Sequence, residues 1–310
     1  MRPSTDTEST AGGDPEVRIV EVGPRDGLQN ESRAWSTGEK LDLISRLIDC
    51  GFRAIEATAF VSPRWVPQMA DHVAVMRGAR RAPGVVLSAL VPNEKGAVAA
   101  LEAGAQELAV FTSASETFSR RNTNCSIAES LERFAPVLAL ASNCDVPVRG
   151  YVSCAVDCPF EGAVPPAAAA AVAGRLADLG CAEIVVADTI GRAAPERVGL
   201  MVGAAVTAVG AGILACHFHD TTGQALANVD VAWDQGIRVF DSAVGGLGGC
   251  PYAPGAAGNL ASGALVRHFE RRGLVTGIDC DALAGLEEAI VARSKLASDS
   301  IPLSTTGPSV

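Results

Sequence analysis

The sequence predicts an α/β protein built as a single (β/α)8 barrel, the TIM-barrel architecture, with one extra C-terminal helix. Three observations carry that prediction. Eight short β-branched runs alternate with stretches of helical periodicity at intervals of roughly 30 residues, about the length of one strand–helix unit. Apolar residues fill 48% of the 310 positions while aromatics fill only 5%, a composition suited to many small contacts between helices and strands. Polar residues within the apolar runs fall mostly late in a run or just after it, where a barrel presents its chemistry.

The strands are read at 17–23 (VRIVEVG), 53–59 (RAIEATA), 85–91 (VVLSALV) and 107–113 (ELAVFTS). Four more follow at 146–153 (VPVRGYVS), 182–189 (AEIVVADT), 212–220 (GILACHFHD) and 238–244 (RVFDSAV). Several are apolar on consecutive residues, as expected for parallel strands covered on both faces. In TGEKLDLISRLIDCG, Leu41, Ile44, Leu47 and Ile48 recur at helical spacing and Gly51 supplies the stop. SIAESLERFAPVLALAS opens on Ser126 with Glu129 three residues on, the pattern of a capping box. A last helix, DALAGLEEAIVARSKLAS, follows the eighth unit. A doubly wound open sheet is the alternative for the same alternation, and the number of repeats favours closure.

Residues 17–298 are taken as the barrel with its last helix, 1–16 as a disordered N-terminal tail and 299–310 as a C-terminal tail. The stretch MRPSTDTESTAGGDPE is polar and acidic without an apolar centre, so it reads as neither a secretory signal nor a transit peptide, and a cytoplasmic location is expected. The longest apolar runs, AVPPAAAAAVAG and LMVGAAVTAVGAGILAC, are rich in Ala and Gly and do not read as membrane spans. A net charge of −10 with no basic stripe argues against nucleic acid and for a small-molecule role. Nine cysteines, an odd count without dense spacing, are expected reduced. Cys50, Cys181 and Cys216 read as packing residues, and Cys154 with Cys158 is too loosely spaced for a redox pair.

The candidate site residues cluster at strand ends. Arg25, Asp26 and Gln29 follow strand 1, Glu56 lies in strand 2, Asp188 and Thr189 end strand 6, and His217 and His219 end strand 7. Cys250 and Asn259 stand in GGLGGCPYAPGAAGN after strand 8. Residues two apart in a strand share a face, so His217 and His219 can aim both imidazoles at one point while Phe218 faces the helical layer. Such a pair reads either as hydrogen-bonded core histidines or as ligands. With only four histidines in the chain and two of them here, ligands are preferred.

Asp26 and Asn259 can complete the set, because strands 7, 8 and 1 are neighbours in a closed barrel. Mixed imidazole and oxygen ligands suit Mg²⁺ or Mn²⁺ better than a Cys-rich zinc site. Arg25 follows a Gly-Pro that ends an apolar strand, which places its guanidinium to stabilise developing negative charge; the plainer reading is a surface ion pair with Asp26. Glu56 and Asp188 in apolar strands are costly unless paired. They read either as an ion network with Arg25 or Arg149, or as residues that orient Arg25 and the ligands. Cys250 has glycine neighbours that let backbone and substrate approach closely.

Together these motifs resemble the 3-hydroxy-3-methylglutaryl-CoA lyase family. The resemblance rests on VEVGPRDGLQNE, IEATAFVSPRWVPQM, NCSIAES, RGYVSCA, HFHDTTGQALANV and, above all, GGLGGCPYAPGAAGN, the family's signature loop. It spans about residues 17 to 297, nearly the whole chain. The wider superfamily of metal-dependent aldol and Claisen barrels shares the RDG and H-x-H elements but not this loop. The resemblance implies a divalent cation, Mg²⁺ or Mn²⁺, held by Asp26, His217, His219 and Asn259. It implies a catalytic set of Arg25, Asp26, Cys250, Glu56, Asp188 and His217, in which Arg25 stabilises an enolate and Cys250 carries a proton. The implied reaction is retro-Claisen cleavage of (S)-3-hydroxy-3-methylglutaryl-CoA to acetyl-CoA and acetoacetate, in leucine degradation and ketone-body metabolism, by a homodimer. A related metal-dependent aldolase or condensing barrel for another acyl-CoA or 2-oxo acid is the alternative. For the acyl-CoA, Arg120 and Arg121 in FSRRNTNCS stand ahead of a helix N-terminus, either against the CoA phosphates or as a solvated basic turn. Phe218 between the histidines and Ala in PGAAGN, where a Ser often precedes the last Gly, depart from the family pattern without touching an assigned role.

Overall fold

Runs of β-branched residues favour extended backbone and pack well on a pleated surface, and all eight expected runs form parallel strands. They are β1 (Arg18–Glu21), β2 (Ala54–Ala59), β3 (Val86–Leu90), β4 (Glu107–Ser113), β5 (Val148–Ser153), β6 (Glu183–Asp188), β7 (Leu214–Phe218) and β8 (Val239–Ser242). This computed structural model describes residues 16–31, 33–248 and 258–298. Pairing of β1 with both β2 and β8 closes the sheet, with Val20 opposite Ala54 on one side and Asp241 on the other. Closure settles the choice between a barrel and an open sheet.

The helices form the outer layer, and their starts follow from local chemistry. In α1 (Thr37–Asp49) and α5 (Ile127–Asn143) the caps Ser36 and Ser126 accept the N–H of Glu39 and Glu129, whose side chains accept the cap N–H groups in return. Such reciprocal caps satisfy two otherwise orphaned donors. Asn93 caps α3 (Glu94–Glu102) and Ser115 caps α4 (Glu116–Thr123). α6 (Pro166–Asp178) and α7 (Pro195–Val209) begin instead with proline, whose fixed φ suits a first turn. After α1 the chain turns at Gly51 with φ +106°, and a Cβ there would meet the carbonyl oxygen of Gly277 at 2.4 Å, so glycine is required.

The remaining helices are α2 (His72–Gly78), α8 (Ala225–Asp234), α9 (Ser262–Arg271) and α10 (Cys280–Ser298), the last being the expected extra helix. Phe269 of α9 packs in tilted contact with Trp233 and Phe240, with ring centroids at 5.3 and 5.5 Å, and joins α8, α9 and β8. Burying an aromatic of this size contributes roughly 2 to 3 kcal/mol. Leu283, Leu286 and Ile290 bury the inner face of α10.

Two features were not legible in the pattern. A short antiparallel ribbon, Asp157–Cys158 with Gly162–Ala163, follows β5 and is tied to α7 by Arg197, which donates to both oxygens of Asp157 at 2.8 Å. The segment after β1 is a π-helical turn, Gly23–Gly27, and not an open loop. Among the described residues no helix is long and apolar enough to cross a membrane, and the described cysteines are free. Of the tails at 1–16 and 299–310, only Glu16 lies within the described residues.

Candidate active site

Parallel barrel strands point their C-terminal ends to one face, and the expected site residues gather there. The π-helical turn after β1 brings the N–H groups of Arg25, Asp26 and Gly27 onto the carbonyl of Val22, at 2.7 to 3.3 Å. This tight turn sets the Arg25 and Asp26 side chains side by side. Arg25 donates to Asp26 Oδ1 at 2.6 Å and to Glu56 Oε2 at 2.8 Å, and Gln29 donates to Asp26 Oδ1 at 2.9 Å. Burial opposes the charge on Arg25, but Glu56 and Asp26 outweigh it and hold the guanidinium above its ordinary range. Arg25 is thus a buried cation and not a surface ion pair.

His217, near the end of β7, and His219, just beyond it, lie with ring centroids 5.3 Å apart. Their ligand atoms and that of Asp26 all fall within 4.8 Å of one another. Burial pushes the Asp26 carboxyl up, yet Arg25, His217 and His219 together hold it down at about 2. Burial, reinforced by His217, lowers His219 to about 4. Both groups are therefore in their metal-binding forms at neutral pH. For His217, burial disfavours the charged ring, while a 3.2 Å hydrogen bond to Asp241 raises it and engages Nδ1. That contact leaves Nε2 free for a ligand role, the usual arrangement when a carboxylate orients a metal-binding imidazole.

Asn259 reaches the site by backbone pairing. It bridges to His219, while Leu260 N–H donates to the Phe218 carbonyl and Asp220 N–H to that of Gly258. The Asn259 amide nitrogen donates to Asp26 Oδ2 at 2.9 Å and to the Leu247 carbonyl at 3.0 Å. Its Oδ1 and the Nδ1 of His219 are buried and have no hydrogen-bond partner among the described residues. Buried polar atoms are nearly always satisfied, so two orphaned acceptors beside a carboxylate and a second imidazole fit a metal ion. This geometry favours ligands over core histidines.

Two expectations need correction. Asp188 does not orient Arg25 or the histidines through its side chain. Its carboxylate accepts the N–H groups of Gly191 at 3.1 Å and Ala193 at 3.0 Å, fixing a turn that packs directly against His219. Arg120 and Arg121 both lie in the last turn of α4, but only Arg121 lines the cavity; its guanidinium sits 4.2 Å over the Phe160 ring. Arg120 is exposed on the helix surface. Cys250 lies outside the described residues.

A cavity of about 700 Å³ opens over this floor. Arg25, Asp26, His217, His219, Tyr151 and Thr189 form its base, and Trp65, Arg121 and Asn124 stand on its walls. Sequence reasoning passed over Asp241 and Tyr151, and it offered Arg149 as a partner for Glu56 or Asp188, whereas Arg149 bonds Glu183, Tyr151 and Asp241. Arg149 donates to Asp241 at 2.9 Å and to the Tyr151 hydroxyl at 2.7 Å, backing the carboxylate that holds His217. The signal for Asp241 was present, since a carboxylate inside the apolar run RVFDSAV raises the same question as Glu56 in strand 2.

Residues 16–290 match the HMGL-like family. Hydroxymethylglutaryl-CoA lyase of Pseudomonas mevalonii is 52% identical over 277 residues, which cover 89% of this chain and 92% of that protein. The crystal structure of the HMG-CoA lyase from Brucella melitensis superposes with a TM-score of 0.88 at 52% identity, covering 90% of this chain and all of that one. An HMG-CoA lyase from Acinetobacter baumannii, solved with coenzyme A and 3-methylmalate, gives a TM-score of 0.85 at 36% identity and covers 95% and 98% of the two chains. The chain belongs to the HMGL-like family, among its hydroxymethylglutaryl-CoA lyases.

Proposed function

We propose that this protein cleaves (S)-3-hydroxy-3-methylglutaryl-CoA to acetyl-CoA and acetoacetate. The observation that carries the reading is the convergence of Asp26, His217 and His219 beside the buried cation Arg25, at the floor of a cavity in an HMGL-like barrel. Asp26, His217, His219 and Asn259 are read as the residues that hold a divalent ion, Mg²⁺ or Mn²⁺. When bound, such an ion supplies Lewis-acid polarisation of substrate oxygens.

The chain's own groups account for the rest. Cleavage requires a tertiary hydroxyl to lose its proton, a C–C bond to break, and the thioester enolate to be held until it is reprotonated. Arg25 is the group for the enolate oxygen, because it is permanently charged and already fixed by two carboxylates, so little reorganisation is needed as charge develops. Glu56 keeps that guanidinium in place, and Asp241 keeps the His217 ring in place. Arg25, His217 and His219 hold Asp26 ionised, the form that a metal ligand requires. Cys250 is read as a proton carrier, its thiol needing a cationic neighbour to titrate near neutrality. Arg121, on the cavity wall, is read as a contact for CoA phosphates. The A. baumannii complex with coenzyme A supports an acyl-CoA in this cavity.

The test is direct. Purified protein with Mg²⁺ or Mn²⁺ should release acetoacetate from (S)-3-hydroxy-3-methylglutaryl-CoA, and a chelator should stop it; acetoacetate formed equally under both conditions would defeat the metal-dependent reading. The same reading takes the protein as a cytoplasmic homodimer, which sedimentation and cell fractionation check.

A further inference from the structure

Two carboxylates that this chemistry does not use meet at the seam where the barrel closes. Glu21, the last residue of β1, is fully buried. Its Oε1 accepts the N–H of Gly23 at 2.8 Å and of Val244 at 2.9 Å, and its Oε2 accepts the Ser262 hydroxyl at 2.5 Å. One side chain therefore joins the start of the Arg25–Asp26 turn, the exit from β8 and the first residue of α9. A Cβ on Gly23 would stand 2.5 Å from Glu21 Oε1, so glycine is what lets the carboxylate fold over the turn. Glu287 repeats the arrangement from α10. Its Oε1 accepts the N–H groups of Gly245 at 3.0 Å and Gly263 at 2.9 Å. A Cβ on Gly263 would collide with Glu287 Oε2.

The fastened residues bracket the part of the chain that carries Asn259. Leu247, two residues past Gly245, accepts from the Asn259 amide, and a Cβ on Gly27 would lie 2.7 Å from Leu247 Cβ. The turn bearing Asp26 and the backbone holding Asn259 are thus packed face to face; Glu21 pins each to the other, and Glu287 fastens the residues on either side of Asn259 to one another. Strand register alone does not call for them, because backbone pairing of Glu21 with Ser242 already sets it. A buried carboxylate in an apolar strand is retained only where its hydrogen bonds are made, and here they all go to segments that flank the site.

We propose that Glu21 and Glu287 are positioning residues, a two-carboxylate clamp that holds Asp26 and Asn259 at the spacing one ion requires. The proposal rests on the reading of Asp26, His217, His219 and Asn259 as the ligand set. Mn²⁺ binding to the intact chain, measured by calorimetry alongside thermal melting, tests it. Glu287→Gln keeps the accepting oxygen and should bind Mn²⁺ within about twofold of the unaltered chain, whereas Glu287→Ala should bind about tenfold more weakly, a typical loss when a residue behind a ligand is removed. Leu283→Ala, at a buried position of the same helix, should lower the melting temperature and leave the affinity alone. Glu21→Ala should weaken binding further; if it fails to fold, the Glu287 pair still decides. Wild-type affinity in Glu287→Ala, or an equal loss in Leu283→Ala, would overturn the clamp. An unaltered chain that binds no Mn²⁺ overturns the ligand set and the clamp with it, whereas binding with unchanged variants overturns the clamp alone.

Discussion

At the N-terminal end of the barrel Arg18 pairs with Glu183, Glu183 with Arg149 and Arg149 with Asp241, and every guanidinium nitrogen of Arg149 has a partner. At the C-terminal mouth a similar collection of charges is left incomplete: Arg25 Nε, Glu56 Oε1, His219 Nδ1 and Asn259 Oδ1 are buried without a hydrogen-bond partner among the described residues. Both ends carry the desolvation cost of buried charge. At one end the charges neutralise one another; at the other some buried polar atoms are left without a partner among the described residues. Residue types alone do not distinguish the two, whereas the count of unsatisfied atoms does. Asp241 links them, since it takes Arg149 on one oxygen and His217 on the other.

The comparison breaks most sharply at His219. His219→Ala removes an imidazole whose Nδ1 has no hydrogen-bond partner among the described residues, so bound Mn²⁺ should fall below detection in elemental analysis while the melting temperature hardly changes; full metal content would remove His219 from the ligand set. Arg25→Gln should lower turnover by about 10²- to 10³-fold, the usual loss for one donor to a developing oxyanion. Its Mn²⁺ affinity should hold or tighten, because a cation leaves the neighbourhood, and calorimetry that showed binding lost in parallel would make Arg25 scaffolding. Asp241→Asn strikes the link between the ends and should weaken Mn²⁺ binding by about 10- to 100-fold. Like Arg25→Gln, which strips Glu56 of its charged partner, it should also lower the melting temperature, because Arg149 loses one of its own.

The smallest effect concerns pH. Burial raises Glu21 and Glu107 to about 7, with Ser262 and Arg149 as the largest counterweights. A carboxyl whose folded value exceeds its unfolded one contributes stability in full below the unfolded range and loses it as pH rises through the folded value. Asp26, at about 2, acts in the opposite sense, but its contribution is complete well below neutrality. His217, raised, loses stability in the same sense as pH climbs above the ordinary histidine value, whereas the contribution of His219, lowered to about 4, rises only up to that value. Calorimetric melting temperatures should therefore fall by a few degrees between about pH 6 and about pH 8, and Glu107→Gln should flatten the slope. A profile that rises over that interval would contradict the assignment.

How much of this the sequence disclosed depended on the range of the interaction. The strands, the Ser126 cap and the two histidines at β7 were legible because alternation, capping and strand periodicity are local. Arg25 and Asp26 were legible through position, although the π-helical turn that aligns them has no pattern of its own. Asp188 misled because its partners are the N–H groups of Gly191 and Ala193, and backbone donors leave no mark in a sequence. Arg149 and Asp241 stand 92 positions apart and could be joined only by knowing which strands face each other across the barrel.

The pairing of β1 with β8 has a consequence for synthesis. Asp26 and Asn259 touch at 2.9 Å across 233 residues of chain. Contacts of such separation form late, after the entropy of a long loop has been overcome. A chain emerging from the ribosome presents Arg25 and Asp26 almost at once, yet it cannot assemble the ligand set until nearly the whole polypeptide has been made. Glu287 adds a final checkpoint, because it reaches the loop bases only after the last helix has docked. Arrested nascent chains that end before α10 should therefore bind Mn²⁺ more weakly than the complete chain.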